Sequence, residues 1–235
     1  MAKPFSGKRT LKTRVKTARK RSNSSTRWLE RQLNDPYVKR ARQEGYRSRA
    51  AYKLIELDDR FKFLKPGKTV LDLGAAPGGW TQVAVAKSRS LPDAPRVIAV
   101  DILPMPGIPG AVVLQLDFLS AAAPQKIRAL LPDGVDMVLS DMAPNTIGHT
   151  ATDHLRIVAL LEAAYPFACE VLKPGGVFIA KVFQGGAERE LLARMKKDFD
   201  SVRHAKPKAS RSGSSEMYVA ATGFKGHKNA PDVRG

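Results

Sequence analysis

The chain has 235 residues, 43% of them hydrophobic, which suits one folded domain with an extension. No apolar run approaches the ~18 residues of a membrane span, and the N-terminus lacks the apolar stretch of a secretory signal. The single cysteine excludes an internal disulfide and a cysteine-based zinc site. We therefore predict a cytoplasmic protein without membrane contact.

The net charge of +18 is concentrated in the first quarter of the chain. Residues 1–53 carry 17 Lys and Arg against three acids, whereas the rest carries 23 basic against 19 acidic residues. Such a cationic segment attracts polyanions, because it neutralises phosphates and releases their counterions. Two other interpretations of residues 1–25 stay open: a disordered tail that aids solubility and, less favoured because the Lys/Arg run is dense, an organellar transit peptide.

Composition divides the chain into four segments. Residues 1–25 are basic, Ser/Thr-rich and poor in large apolar groups, which predicts disorder. Residues 26–66 carry apolar side chains at helical spacing and predict a helical RNA-binding segment, in which Ser48 is a candidate N-cap. Residues 67–225 are expected to form the catalytic domain and residues 226–235 a flexible tail.

Strands and helices alternate from residue 69 onward. Strands are predicted at 70–73, 96–100, 111–116, 137–139, 177–182, 202–205 and 217–222, and helices at 80–86, 122–131, 153–172 and 188–199. This alternation predicts an α/β fold with a mostly parallel seven-stranded sheet covered by helices on both faces. Because no helix separates the last two strands, an antiparallel hairpin is expected to close the sheet.

A glycine-rich turn follows the first predicted strand, in the run Val70-Leu71-Asp72-Leu73-Gly74-Ala75-Ala76-Pro77-Gly78-Gly79-Trp80. Such a turn lets the backbone approach a ligand closely. Ligands of open α/β sheets bind beyond the carboxyl ends of the strands. A dinucleotide-binding dehydrogenase is disfavoured, because the G-x-G-x-x-G spacing is absent.

Three later strands end at an aspartate: Asp101, Asp117 and Asp141. A carboxylate at Asp101 can accept hydrogen bonds from both hydroxyls of a ribose, and Asp117 can accept one from the amino group of adenine. Together with the turn, these residues indicate an adenosyl ligand without a pyrophosphate. For any one of the three, a role limited to capping the following helix stays open.

Four charged residues stand beside elements that are otherwise apolar: Lys53, Asp141, Lys181 and Glu216. A lysine in a central strand is costly unless it is paired. A solvated strand end explains one such lysine, but not two lysines and two acids at one end of a sheet. A desolvated lysine beside another cation loses its proton more readily and can act as a base.

Five motifs strongly resemble the RrmJ/FtsJ family, 2′-O-methyltransferases of large-subunit ribosomal RNA. The resemblance extends in collinear order over about residues 25–223; the longer basic extension before it and the spacer at 90–95 depart from the family pattern without touching a site motif. The motifs are Ser48-Arg49-Ala50-Ala51-Tyr52-Lys53-Leu54, Asp72-Leu73-Gly74-Ala75-Ala76-Pro77-Gly78-Gly79-Trp80, Ser140-Asp141-Met142-Ala143-Pro144-Asn145, Lys181-Val182-Phe183-Gln184-Gly185 and Glu216-Met217-Tyr218.

The resemblance implies a Rossmann-like methyltransferase fold, S-adenosylmethionine as cofactor and a Lys53–Asp141–Lys181–Glu216 catalytic tetrad. It implies a monomer that methylates a uridine ribose of large-subunit ribosomal RNA, within a ribosomal particle. No metal is expected, since the four histidines lack a metal-ligand spacing. The implied cofactor contacts are Gly74, Gly78, Gly79, Trp80, Asp101, Asp117 and Asp141.

The corresponding mechanistic hypothesis makes Lys181 the general base, neutral when it takes the proton of the ribose 2′-hydroxyl. Lys53 assists Lys181 and orients the ribose, while Asp141 and Glu216 hold the two lysines. Most of the rate is expected from alignment of the reacting atoms. Two alternatives stay open: methylation of another RNA, such as transfer RNA or a messenger cap, and a ribosome-assembly factor whose RNA binding matters more than its catalysis.

Overall fold

A computed structural model describes Thr13, Thr17 and residues 22–144, 150–183, 189–211 and 213–226. Most of the basic residues 1–25 and of the tail 226–235, and parts of two site motifs, lie outside the described residues. In chain order the elements are α1 (Asn23–Leu33), α2 (Pro36–Gln43), α3 (Ala50–Phe61), β1 (Val70–Leu73), α4 (Gly79–Ser88), β2 (Val97–Asp101), β3 (Ala111–Gln115), α5 (Ala123–Arg128), β4 (Val135–Ser140), α6 (Thr150–Val171), β5 (Leu172–Phe183), α7 (Arg189–Asp198), β6 (Phe199–Ala205) and β7 (Glu216–Phe224).

The strands form one sheet in the order β3-β2-β1-β4-β5-β7-β6. Strands β1 to β5 pair in parallel, and β7 pairs antiparallel with both β5 and β6. This confirms the mostly parallel seven-stranded sheet and its closing hairpin. The chain runs outward from β1 to β3 and then returns to place β4 on the other side of β1, so the crevice in which such sheets bind ligands is expected at the carboxyl ends of β1 and β4.

Helices cover both faces of the sheet, as predicted. One hydrophobic core joins α3 and α4 to the sheet, and another joins α5, α6 and α7 to the opposite face. The central strand β1 is buried along its whole length, because both faces are covered. None of the helices in the described part of the chain is long and apolar enough to cross a membrane.

Two local predictions were wrong. Ser48 does not cap α3: the N-cap is Arg49, without a side-chain cap bond, and the Ser48 hydroxyl is buried against Gly79 instead. The fifth strand begins at Leu172 rather than at Val177, because Leu172 pairs with the start of β4 before the register shifts. Pro174-Gly175-Gly176 therefore forms an irregularity near the start of β5. Periodicity alone does not predict a strand that continues through these residues.

Candidate active site

The strand order reverses between β1 and β4, and this point of the sheet places Asp141 at the centre of a polar site. Leu73 of β1 pairs with Ser140 of β4, and the Asp141 amide donates a hydrogen bond to the Leu73 carbonyl at 3.1 Å. Asp141 therefore begins the turn directly beside Gly74, the first residue of the glycine-rich turn. The parallel register, rather than any local sequence feature, fixes this proximity.

The structure brings together all four charged residues that the sequence singled out. Lys181 Nζ lies 2.7 Å from Asp141 Oδ1, and Lys53 Nζ lies 2.8 Å from Glu216 Oε1. The two ion pairs also contact each other, with Lys53 Nζ 4.0 Å from Asp141 Oδ2 and Lys181 Nζ 3.9 Å from Glu216 Oε2. Two cations and two anions thus alternate in one mostly buried cluster.

Lys53 reaches this cluster because α3 is fixed at its N-terminal end. The guanidinium group of Arg49 contacts the Asp35 carboxylate and donates to the Ala209 carbonyl. The indole Nε1 of Trp80 donates to the Ala50 carbonyl at 2.8 Å. These contacts attach the first turn of α3 to α2, to α4 and to the β6–β7 connection, and Lys53 lies one turn further along.

Tyr218 is a site residue that the sequence reasoning did not assign. Its hydroxyl donates a hydrogen bond to Asp141 Oδ1 at 2.7 Å and accepts one from Lys53 Nζ at 3.2 Å. Burial, reinforced by the Asp141 and Glu216 carboxylates, raises the pKa of Tyr218 well above its ordinary value, so the hydroxyl keeps its proton. Alternation along β7 could have identified it, because residues two apart in a strand share a face.

Ser210 is a second such residue, and no local pattern predicts it. It lies in the β6–β7 connection and its hydroxyl donates to Glu216 Oε1 at 2.8 Å. Glu216 therefore accepts hydrogen bonds from both Lys53 and Ser210, which fixes the orientation of its carboxylate. Contacts of this kind depend on a loop that returns to the site from elsewhere in the chain.

The cluster keeps Asp141 ionised. Burial by itself would raise the pKa of Asp141, but the ammonium groups of Lys181 and Lys53, with hydrogen bonds from Lys181 and Tyr218, hold it below the ordinary range of an aspartate. Lys181 is 8% exposed and also donates to the Asp141 carbonyl at 2.8 Å. The lysine is thus held by both the side chain and the backbone of one residue.

The three glycines of the turn allow close packing within the protein. A Cβ at Gly74 would lie 2.7 Å from backbone atoms of Met142, and one at Gly79 would lie 2.3 Å from Ser48 Oγ. Gly78 has a φ of +109°, which side chains rarely adopt. The glycines therefore bring the turns after β1 and β4, and the segment before α3, against one another around the crevice.

Asp101 and Asp117 both shape the turns that follow their strands. Asp101 accepts hydrogen bonds from the amides of Ala76 at 2.8 Å and Leu103 at 2.7 Å, one on each oxygen. Asp117 accepts one from the Leu119 amide at 2.9 Å. The local structural role that stayed open in the sequence is therefore present. Each carboxylate oxygen can accept a second hydrogen bond, so this role leaves capacity for a ligand.

Trp80 lies inside the protein rather than in the crevice. Its side chain is 2% exposed, and its ring packs against Tyr218 at 5.5 Å between centroids. It links the glycine-rich turn to the charged cluster. The backbone of residues 78–80, at the start of α4, faces the end of the sheet where the crevice lies, so a cofactor contact there remains a prediction for the backbone.

Among the described residues, no group of three or more His, Cys, Asp or Glu side chains is arranged to hold a metal ion. The crevice instead presents carboxylates at the ends of β2 and β4, a close-packed backbone turn and a lysine-rich cluster. An α/β sheet with polar groups and a glycine-rich turn at this point is typical of proteins that bind a nucleotide-like small molecule there.

Comparisons with known proteins agree with this class. Residues 46–224 match the model of the FtsJ-like methyltransferase family. The chain is 60% identical to ribosomal RNA large subunit methyltransferase E of Parvibaculum lavamentivorans, over 96% of this chain and 91% of that protein. Its identity to the protein of the same name from Bradyrhizobium diazoefficiens is 57%, over 98% and 100% of the two chains.

A solved structure agrees as well. A ribosomal RNA methyltransferase from Plasmodium falciparum aligns with a TM-score of 0.67 and 33% identity, over 77% of this chain and 100% of that chain. The chain belongs to the FtsJ-like methyltransferase family. It is a methyltransferase with the seven-stranded fold of that family.

Proposed function

We propose that the chain methylates the 2′-hydroxyl of a uridine ribose in large-subunit ribosomal RNA. The observation that carries the proposal is the buried Lys181–Asp141–Lys53–Glu216 cluster at the end of the β1–β4 crevice. A hydroxyl acceptor needs a base, and a desolvated lysine supplies one. The names of the relatives support ribosomal RNA as the substrate.

S-adenosylmethionine, when bound, supplies a methyl group activated by its sulfonium. The residues that fit it are the backbone of Gly74, Gly78 and Gly79, with Asp101 for the ribose hydroxyls and Asp117 for the adenine amino group. The turns beside these two aspartates expose apolar side chains that suit the faces of a purine: Ile102 and Leu103 are each 61% exposed and Leu119 is 59% exposed. Asp141 borders the same crevice beside Gly74.

The protein's own groups then account for the acceptor chemistry. Lys181 first releases its ammonium proton to solvent; the neutral Nζ then takes the proton from the 2′-hydroxyl as the oxygen attacks the methyl carbon. Asp141 holds Lys181 by a 2.7 Å ion pair, and Glu216 holds Lys53 by a 2.8 Å ion pair. Tyr218, protonated throughout, ties Asp141 to Lys53. A cluster fixed in this way limits the freedom of the base, which favours in-line attack.

The same proposal has the enzyme act in the cytoplasm, as a monomer, on RNA within a ribosomal particle. Mapping of 2′-O-methyl groups by mass spectrometry tests it, in total RNA from a deletion strain and from strains complemented with wild type or Lys181→Met. We expect one large-subunit ribosomal uridine to lose its methyl group in the deletion strain and to regain it only with wild type. Loss confined to transfer RNA or to a messenger cap would refute the substrate, and rescue of ribosome assembly by Lys181→Met would favour an assembly role.

Deletion of residues 1–25 tests the role of the basic segment, which carries nine Lys and Arg and no acid. If these residues neutralise phosphates, the deletion weakens binding to ribosomal RNA and flattens the dependence of log Kd on log salt. Binding is measured by filter retention between about 50 and 200 mM salt, the range over which such contacts change affinity strongly. An unchanged slope would instead favour the interpretation of residues 1–25 as a tail that aids solubility.

A further inference from the structure

A second basic surface lies at the end of the sheet opposite the active site. Residues 60–68, Arg-Phe-Lys-Phe-Leu-Lys-Pro-Gly-Lys, carry four cations, no acid and two phenylalanines. They form the end of α3 and its connection to β1, and they border a groove of about 370 Å³. Basic residues interleaved with aromatic ones are typical of nucleic-acid-binding surfaces. The mechanism proposed above does not use them.

The floor of this groove is closed by core residues, and half-buried apolar side chains line part of its wall. Phe63 is 7% exposed and Met137 is 1% exposed, and both belong to the core beneath the groove. The accessible apolar lining comes from the half-buried Phe61 and Val177, together with the exposed Pro174. About 13 Å of strand separate Val177 from Lys181, at roughly 3.3 Å a residue. The groove therefore lies on the opposite end of the same sheet and is distinct from the crevice.

The rim is cationic and its charges are largely available. Among the residues that the structure describes, Lys62 pairs only with Asp59, at 3.7 Å, and both side chains are mostly exposed, so this pair is weak. Lys65 is exposed and forms no ion pair within the described residues. Asp136, the acid that lines the groove, is already engaged by Lys68 Nζ and by the amide and hydroxyl of Thr69.

We propose that this groove, bordered by Lys62, Lys65 and Lys68, is a second RNA-binding surface. An unpaired nucleotide of the substrate RNA would place its base against Phe61 and Val177 and its phosphates near Lys62 and Lys65. The cationic rim and the partly exposed apolar side chains match the two parts of a nucleotide. The inference rests on the proposed RNA substrate, and it implies that the RNA contacts both ends of the sheet, as a folded RNA of a large particle can.

The test is the double variant Lys62→Gln/Lys65→Gln in the full chain, with large-subunit ribosomal RNA from a strain that lacks this protein as the probe. We expect affinity for this RNA to fall on the order of tenfold near 0.15 M salt. The slope of log Kd against log salt should fall by about two, one for each lost phosphate contact. The matched control is Lys126→Gln/Arg128→Gln, which removes two positive charges from α5 and should change neither quantity. Retained affinity for S-adenosylmethionine shows that the variant is folded.

Several outcomes would overturn the proposal. Equal losses in the test and control variants would make the effect one of overall charge. Unchanged RNA binding with weaker association to ribosomal particles would assign the groove to a ribosomal protein instead. RNA binding is measured directly and does not depend on the methylation map. The groove proposal can therefore be refuted while the 2′-O-methylation proposal holds, and the 2′-O-methylation proposal can be refuted while the groove proposal holds.

Discussion

Replacing Lys181 with methionine is expected to lower the rate of methyl transfer by about 10² to 10⁴. The residue is 8% exposed and its Nζ is held by both the carboxylate and the carbonyl of Asp141. Methionine keeps the volume of the buried side chain but removes the group that accepts the proton. Affinity for S-adenosylmethionine should change little, since most of the residues assigned to the cofactor lie at or after the ends of β1, β2 and β3, away from Lys181. Single-turnover methyl transfer and equilibrium cofactor binding are measured separately.

Two further variants distinguish a general base at position 181 from a cation that has only an electrostatic role there. Lys181→Arg retains the positive charge beside Asp141 but cannot release a proton near neutral pH, so it should be as inactive as Lys181→Met if the lysine is the base. Lys208→Met, at an exposed position in the β6–β7 connection, is the matched control and should retain wild-type turnover. Substantial activity in Lys181→Arg would contradict the base assignment and leave Lys181 with an electrostatic role.

Asp72 should make the stability of the fold depend on pH. It is fully buried in β1, where Oδ2 accepts a hydrogen bond from the Thr81 hydroxyl at 2.7 Å and Oδ1 has no hydrogen-bond partner within the described part of the chain. Burial, partly offset by Thr81 and reinforced by Asp141 and Asp101, raises the pKa of Asp72 to about 7. An aspartate in the unfolded chain has a pKa of about 3.9. The native state therefore binds more protons, and stability falls as pH rises from about 4 to about 7.

Asp72→Asn removes this titration and retains the shape of the side chain. Relative to wild type, the free energy of unfolding of the variant should increase by about 2 to 3 kcal/mol between pH 5 and pH 8. Urea unfolding at the two pH values gives this difference directly. If wild type and variant show the same pH dependence, Asp72 is ionised throughout and burial does not dominate its environment.

Asp136→Asn is the control, because the pKa of Asp136 is shifted in the opposite direction to that of Asp72. Burial alone would raise the pKa of Asp136, but hydrogen bonds from Lys68 and Thr69 hold it below the ordinary range. Its stabilising effect is fully present above the pKa of the unfolded residue and is lost only at lower pH. Between pH 5 and pH 8 the Asp136→Asn variant should therefore lose a constant amount of stability, in contrast to Asp72→Asn.

The fold and the charged cluster were predictable from the sequence because both depend on patterns that repeat along the chain. Alternating strands and helices identify a parallel sheet, and residues that follow parallel strands meet at one edge of it. The pattern of strands therefore predicts by itself that Asp141 and Lys181 lie together. The sequence also indicated the closing hairpin, since no helix separates β6 from β7.

The rest required contacts between segments that are distant in the chain. Ser210 and Tyr218 join the cluster because the β6–β7 hairpin packs against β5, and Ser48 turns away from α3 because Gly79 leaves room for it. Trp80 follows a ligand-binding turn yet is buried, because α3 covers it. The sequence by itself determined the elements and the residue types of the chemistry. Only the tertiary structure decided which of those residues serve packing and which face the crevice, since burial depends on what another segment covers.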